Sequence, residues 1–172
     1  MSAAFERPAL LTAAHNVAAF DCGRDPLNSF IKHHALQNQS NKSARTFVST
    51  RIGTSGVVGY YSLCAASVEY EQTPERIRKG LARHEVPLVL LARLAVDQNF
   101  QRMGLGPSLL QDAFGRFITV QQTIGARALL AHAKDDDAKA FYEKWGFVSS
   151  DGLPLHLYIL GKDIKASLDS LI

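Results

Sequence analysis

The chain has 172 residues, of which 47% are apolar and 20% are charged, and its formal net charge is +3 at pH 7. These proportions exclude an intrinsically disordered chain, and no apolar run approaches the roughly 20 residues that a membrane-spanning helix needs. This length predicts one globular domain over residues 1–172, and because the N-terminal stretch MSAAFERPALL lacks the pattern of a signal peptide, we expect the protein in the cytoplasm.

The first half of the chain predicts a helix followed by two antiparallel strands. The helix is expected in RDPLNSFIKHHALQNQS, with Asp25 as its cap and Pro26 at its first position. The runs ARTFVSTR and SGVVGYYSLCAASVEY are rich in β-branched and aromatic residues and are separated by glycines, which predicts a β-hairpin. A short helix with a basic face, capped by Thr73, is expected in TPERIRKGLARH.

The second half predicts a strand–helix–strand unit and three further elements. VPLVLLARLAVD reads as a strand buried on both faces, and apolar pairs from Pro107 onward predict an amphipathic helix before the strand ARALLAHA. DDDAKAFYEKWGF predicts a helix that ends at Gly146 in a left-handed cap. LPLHLYIL and KDIKASLDSLI are expected to form a final strand and a short helix. These elements place the chain in the mixed α/β class.

Two glycines, Gly104 and Gly106, lie in FQRMGLGPSLL between the apolar strand and the next helix. They could form a simple turn, because glycine readily adopts positive φ. They could equally form an anion-binding loop, because a helix N-terminus gathers free amides and the positive end of the helix dipole. The stretch has no Gly-Lys-Ser/Thr as in a P-loop, and Leu109 stands where a dinucleotide fingerprint has its third glycine. Both nucleotide motifs are therefore excluded.

The stretch QRMGLG resembles the pattern Q/R-x-x-G-x-G/A of the GNAT superfamily of N-acetyltransferases, and the order of elements and AKAFY before WGF resemble that superfamily too. The resemblance implies a central, mixed, mostly antiparallel twisted sheet flanked by helices. It also implies that the loop amides bind the pyrophosphate of acetyl-coenzyme A and that the preceding strand binds the pantetheine arm. The cofactor-binding residues implied in this way are Leu94, Ala95, Val96, Gln101, Arg102, Met103, Gly104, Leu105, Gly106, Ser108, Asp135 and Phe141.

Tyr142 occupies the position where many GNAT enzymes carry the tyrosine that protonates the departing thiolate, although an aromatic residue on the apolar side of a helix also suits a core. No general base is evident near it. An α-amino group titrates at about 7.7–8.0, against about 10.4 for lysine, so an aminoacyl ester needs little base. The isolated Cys22 and Cys64 and the scattered histidines lack metal-ligand spacing, so no metal is expected.

Longer stretches resemble the GNAT toxins of bacterial toxin-antitoxin pairs. They are FDCGRDPLNSFI, ALQNQSNKSARTFV, LLARLAVDQNFQRMGLGPSLLQDA and AHAKDDDAKAFYEKWGF, which together span most of the chain from Phe20 to Phe147. This resemblance implies that the chain acetylates the α-amino group of aminoacyl-tRNA and thereby blocks translation. It also implies a ribbon-helix-helix antitoxin as partner, contact with DNA only through that antitoxin, and a homodimer.

Basic residues offer candidate contacts to tRNA phosphates, since no Asp or Glu occurs between Pro26 and Val68. The candidates are Lys32, Lys42, Arg45, Arg76, Arg78, Lys79 and Arg93. Arg93 is the most informative, because an arginine inside an apolar strand needs a partner or a ligand. Two alternatives stay open: an acetyltransferase for a small amine or a protein N-terminus, and a non-catalytic module that binds acyl-coenzyme A or an antitoxin with its operator.

Overall fold

The computed structural model describes residues 4–169, which contain both helices and strands. The strands are β1 (Ala9–Leu10), β2 (Arg45–Thr50), β3 (Val57–Val68), β4 (Val86–Val96), β5 (Ala128–His132), β6 (Val148–Ser149) and β7 (His156–Leu160). The helices are α1 (Asp25–Ser29), α2 (Ala35–Ser40), α3 (Glu75–Arg78), α4 (Leu105–Gln121), α5 (Asp136–Lys144) and α6 (Gly161–Asp169), with a π-helical stretch, Phe30–His34, between α1 and α2. Within residues 4–169, no helix has both the length and the apolar character that crossing a membrane requires.

One compact unit consists of the residues up to Cys64 together with Ala92–Ala113. Its strand order is β1-β2-β3-β4, and β2 pairs in antiparallel fashion with both β1 and β3, which confirms the predicted hairpin. Phe20 and Phe30 pack against the ring of Tyr60, whose hydroxyl donates a hydrogen bond of 2.8 Å to the carbonyl oxygen of Leu27. The helical segment that precedes β2 is thus fixed on β3 by aromatic contacts and one partly buried hydrogen bond.

The second compact unit consists of Ala65–Leu91 together with the residues from Phe114 onward. Its strand order is β3-β4-β5-β7-β6; β5 is parallel to β4 and antiparallel to β7. Its core contains Ile77, Leu130 and Tyr158. The predicted mixed α/β class with a mostly antiparallel sheet is confirmed. Because β3, β4 and α4 contribute to both units, the single domain over residues 1–172 stays a prediction.

Three helix starts differ from the sequence prediction. Asp25 begins α1 rather than capping it, and Arg24 at the cap position makes no capping hydrogen bond. The hydroxyl of Thr73 donates to the carbonyl oxygen of Tyr70 at 2.7 Å, so α3 starts after Pro74 without the predicted cap. Helix α4 begins at Leu105, two residues before Pro107. Proline is tolerated there because the first amides of a helix have no intrahelical partner anyway.

Candidate active site

Strand β4 extends beyond its pairing with β5. The two strands pair from Leu88 to Leu91, and β4 then continues as a strand through Val96. A strand edge without a neighbour leaves N–H and C=O groups that an extended ligand can use. The predicted pantetheine-binding residues, Leu94 to Val96, fall in this last part of β4, which belongs to the first compact unit.

The loop after β4 contains two residues with positive φ, Arg102 at 64° and Gly104 at 83°. Gly106, in contrast, lies in the first turn of α4, so the two glycines have different roles. A non-glycine residue in the left-handed region costs about 1–3 kcal/mol and is often found at a functional site. A Cβ added to Gly104 would meet no atom within 4 Å, so this side of the loop is open.

The amides of Gly104, Leu105 and Gly106 make no hydrogen bond within the part of the chain that the structure describes. The amide of Ser108 differs, because it donates to the carbonyl oxygen of Gly104 at 3.2 Å and leaves the hydroxyl as that residue's free donor. The three amides lie at the N-terminus of a 17-residue helix, where the helix dipole adds attraction for an anion. This arrangement suits a phosphate group.

Gln101 connects the loop with the end of β4. Its side-chain Nε2 donates to the carbonyl oxygen of Val96 at 3.1 Å, while the neighbouring Arg102 and Met103 are exposed. The predicted cofactor-binding residues from Leu94 to Ser108 therefore lie together in one continuous segment of the first unit.

Gly59 on β3 is a positioning residue that sequence reasoning missed. A Cβ at this position would come within 3.0 Å of Leu105 Cδ2 and of Leu109 Cδ1, closer than side chains normally approach. The missing side chain thus allows the first turns of α4 to pack directly on β3. The hydroxyl of Tyr61 donates to the carboxylate of Asp112 and holds the same helix farther along. The available signal was a glycine inside the strand run VVGYY, which often marks a close backbone approach.

Tyr142 lies on α5 in the second unit. Its ring packs edge-on against Phe147, with 5.1 Å between ring centroids, and against Phe141 at 5.3 Å. The side chain is 7% exposed, and its hydroxyl makes no hydrogen bond to any of residues 4–169. Burial raises the pKa of the Tyr142 phenol, so the hydroxyl keeps its proton at neutral pH. Such a group can donate a proton and cannot serve as a base.

Helix α5 is fixed at both ends by local bonds. The carboxylate of Asp135 accepts a hydrogen bond of 2.8 Å from the amide of Ala138, which makes Asp135 the N-cap, and Gly146 has the predicted left-handed conformation at φ 100°. At the end of β5, the ring of His132 stacks on that of His156 with 4.0 Å between centroids. Burial and the neighbouring His156 lower the pKa of His132, so this histidine is neutral at pH 7.

The basic residues predicted to contact tRNA fall into two groups, one in each compact unit. Lys32, Lys42, Arg45 and Arg93 belong to the first unit. The guanidinium of Arg93 lies 3.8 Å from the centroid of the Phe30 ring. The face of this ring is therefore the partner that an arginine within an apolar strand was expected to need.

The second group is Arg76, Arg78 and Lys79. Arg76 forms a bidentate ion pair with Asp163 at 2.7 Å. Arg78 donates to the carbonyl oxygens of Glu71 and Thr73 and lies over the Tyr70 ring, so it holds the local backbone. Of these three residues, only Lys79 has an exposed charged group that forms no ion pair and no hydrogen bond with residues 4–169.

Comparison with known proteins agrees with this geometry. The family model described as an acetyltransferase (GNAT) domain matches residues 42–149. A tRNA-acetylating toxin from Mycobacterium tuberculosis is 40% identical over 162 residues, which are 94% of this chain and 96% of that protein.

Solved structures of similar proteins cover nearly the whole chain. AtaT complexed with acetyl-methionyl-tRNAfMet has a TM-score of 0.87 at 28% identity, over 95% of this chain and 99% of that one. A tyrosine-to-phenylalanine mutant of the toxin AtaT, bound to the C-terminus of the antitoxin AtaR and to acetyl-CoA, has a TM-score of 0.81 at 27% identity, with 95% and 98% covered. A KacTA–DNA complex has a TM-score of 0.79 at 26% identity, with 96% and 99% covered.

Proposed function

The chain belongs to the GNAT family of acetyltransferases, and we propose that it transfers the acetyl group of acetyl-coenzyme A to the α-amino group of aminoacyl-tRNA. The observation that carries this proposal is the continuous segment from Ala92 to Ser108. It combines an unpaired strand edge with three free amides at a helix N-terminus. An extended amide-containing arm that ends in a pyrophosphate matches both halves of this segment.

In the proposed reaction, the neutral α-amine attacks the thioester carbonyl, a C–N bond forms and the C–S bond breaks. The amine loses a proton to solvent and the departing thiolate takes one from the hydroxyl of Tyr142, which solvent then reprotonates. The buried and protonated state of that phenol supports this role. An aminoacyl ester is a suitable nucleophile, because the electron-withdrawing ester lowers the pKa of its amine below the value of about 7.7 for an α-amino group, and much of the amine is then neutral without a base.

The product explains how the protein would act as a toxin. An acetylated α-amine can no longer attack a peptidyl ester, so charged tRNA in this form cannot extend a chain. We therefore place the activity in the cytoplasm, where charged tRNA is used. By analogy with the relatives that are toxins or toxin–antitoxin complexes, the partner is an antitoxin, and contact with DNA occurs through it. The ribbon-helix-helix class of that antitoxin is what the sequence resemblance implies. The homodimer remains a prediction.

The test compares acceptors under identical conditions. Purified protein is incubated with labelled acetyl-coenzyme A and either charged tRNA, the same tRNA uncharged, a free amino-acid ester or a peptide with a free N-terminus. We expect charged tRNA to be labelled at a rate far above that of the other acceptors. Rapid labelling of the small ester or the peptide, with none in charged tRNA, would instead support a small-amine or N-terminal acetyltransferase. Acetyl-coenzyme A binding without transfer to any acceptor would support a non-catalytic module.

A further inference from the structure

The second compact unit contains an open cleft of about 790 Å³ whose charged residues are mostly cations. It is bordered by α3 and the turn after it, by the start of β5, and by the end of β7 with the first turns of α6. The charged residues that line it are Glu75, Arg76, Lys79, Arg127, Lys162 and Lys165. Five cations and one carboxylate therefore share this surface.

The two arginines are already engaged in the structure. Arg76 is paired with Asp163, and Arg127 donates to the carbonyl oxygens of Ile77 at 2.7 Å and Lys79 at 3.0 Å. Arg127 thereby fixes the turn that carries Lys79. The two arginines therefore stabilise the walls of the cleft, and the remaining positive charge is that of the three lysines.

The three lysines are the free cations of the cleft. Lys79, Lys162 and Lys165 are exposed, and the ammonium group of each forms no ion pair and no hydrogen bond with residues 4–169. They come from two segments that are far apart in sequence, the turn after α3 and helix α6, and the fold brings them to one cleft. Three unpaired ammonium groups in one concavity attract an anion more strongly than isolated surface lysines do.

The cleft is separate from the residues assigned to acetyl transfer. Its lining includes no residue of the segment from Ala92 to Ser108 and none of α5, where Tyr142 lies. Its arginine anchor, Arg127, precedes β5, whereas α5 follows the end of that strand. An anion in the cleft would therefore make contacts in addition to those at the reacting amine.

We propose that this cleft binds the sugar-phosphate backbone of the tRNA substrate at a stretch away from its aminoacylated end. The inference rests on the proposed function, because it assumes that the substrate is an RNA. Flexible lysines act as point charges that follow a phosphate backbone without reading sequence. An enclosed site with fixed, bidentate donors would suit a single small phosphate. This cleft is open instead, and the guanidinium groups of Arg76 and Arg127 already form hydrogen bonds within the protein.

Lys162→Gln/Lys165→Gln tests the proposal, because it removes two free charges and glutamine keeps α6 helical. Arg7→Gln/Lys144→Gln is the matched control, since it removes two exposed charges outside the cleft. Binding of uncharged tRNA is measured by fluorescence anisotropy at several salt concentrations. Each lost phosphate contact lowers affinity about 5- to 8-fold at 0.1 M salt, so the cleft variant should bind roughly 25- to 60-fold more weakly. Its salt dependence should be shallower by about 1.4–1.8 in log–log slope.

The same proteins are then compared as enzymes on charged tRNA and on a short aminoacylated oligonucleotide that ends in CCA. We expect the preference of the cleft variant for full-length tRNA over the oligonucleotide to fall by a similar factor, through KM. Equal tRNA affinity and equal salt dependence in wild type and cleft variant would overturn the proposal. So would unchanged tRNA binding together with lost binding of an acidic antitoxin peptide, which would make the cleft a protein-binding surface. If wild type acetylates neither acceptor, the proposed function fails, while the anisotropy experiment still decides whether the cleft binds RNA.

Discussion

Replacing each loop glycine by alanine should have opposite effects on stability, because the two residues differ in conformation. Gly104 has a φ of 83°, and a Cβ there would meet no neighbouring atom, so the penalty in Gly104→Ala comes from the backbone alone. That penalty is about 1–2 kcal/mol. Gly106 lies in the first turn of α4, where alanine is favoured over glycine by about 0.5–1 kcal/mol.

The penalty at Gly104 lowers either the free energy of unfolding or the affinity for acetyl-coenzyme A. If the loop keeps its shape in Gly104→Ala, the free energy of unfolding falls by about 1–2 kcal/mol. If the loop relaxes and must be re-formed on binding, acetyl-coenzyme A affinity falls about 5- to 30-fold instead, because about 1.4 kcal/mol is a factor of ten. The sum of the two losses should therefore stay near the same total. Gly106→Ala should be as stable as wild type or more so, yet bind acetyl-coenzyme A more weakly, since its methyl group crowds an amide assigned to the pyrophosphate.

Urea denaturation and isothermal titration calorimetry with acetyl-coenzyme A separate these effects. The reasoning is refuted if Gly104→Ala loses neither stability nor affinity. It is equally refuted if Gly106→Ala gains stability and binds acetyl-coenzyme A as tightly as wild type, since the pyrophosphate would then not approach that amide.

Three further predictions follow from buried or closely packed groups. Tyr142→Phe should lower the rate of acetyl transfer on the order of 10²- to 10⁴-fold with unchanged affinity for acetyl-coenzyme A. Because the pKa of Tyr142 is raised, wild-type kcat/KM should rise with pH as the acceptor amine loses its proton, and it should not fall again below about pH 10. An early alkaline fall, or an active Tyr142→Phe, contradicts this role. Gly59→Ala should lose about 1–3 kcal/mol of stability, because the new methyl group crowds Leu105 and Leu109 of α4. Gly115→Ala, at an exposed position of α4 with open space around it, should lose none of this stability. Equal urea midpoints for Gly59→Ala and wild type would show that α4 can shift freely. His132 has a lowered pKa, so its contribution to the free energy of unfolding is present above about pH 6.5, the pKa of histidine in the unfolded chain, and is lost as the pH falls through the pKa of His132 in the folded protein. His156→Gln should raise the pKa of His132 in an NMR titration, and an unchanged pKa would assign the shift to burial alone.

Sequence reasoning works well where a pattern is local. Most predicted helices and strands are present, because apolar periodicity and glycine positions are properties of short segments. Strands β1 and β6 contain two residues each, too few to show any periodicity, and they were not predicted. The cap at Gly146 was predicted correctly because a helix end that needs positive φ selects glycine.

The parts of the site that depend on long-range contacts could not be predicted. The end of the β4–β5 pairing at Leu91 is set by how two strands diverge, which no local pattern of β4 reports. Positive φ occurs at Gly104 and also at Arg102, which no motif marks, whereas Gly106 lies in the first turn of α4. Arg127, Lys162 and Lys165 carry no motif and become a group only when α6 lies beside the turn after α3.

The chemical form of the product tests the central claim most directly. Charged tRNA is incubated with the protein and acetyl-coenzyme A, digested with a nuclease, and its 3′-terminal nucleoside is examined by mass spectrometry. We predict an aminoacyl-adenosine that carries one acetyl group on the α-amine, no such product with uncharged tRNA, and at least about 100-fold slower formation of it with Tyr142→Phe. An unmodified aminoacyl-adenosine from every charged tRNA tried, with acetyl-coenzyme A shown to bind, would contradict the proposed function.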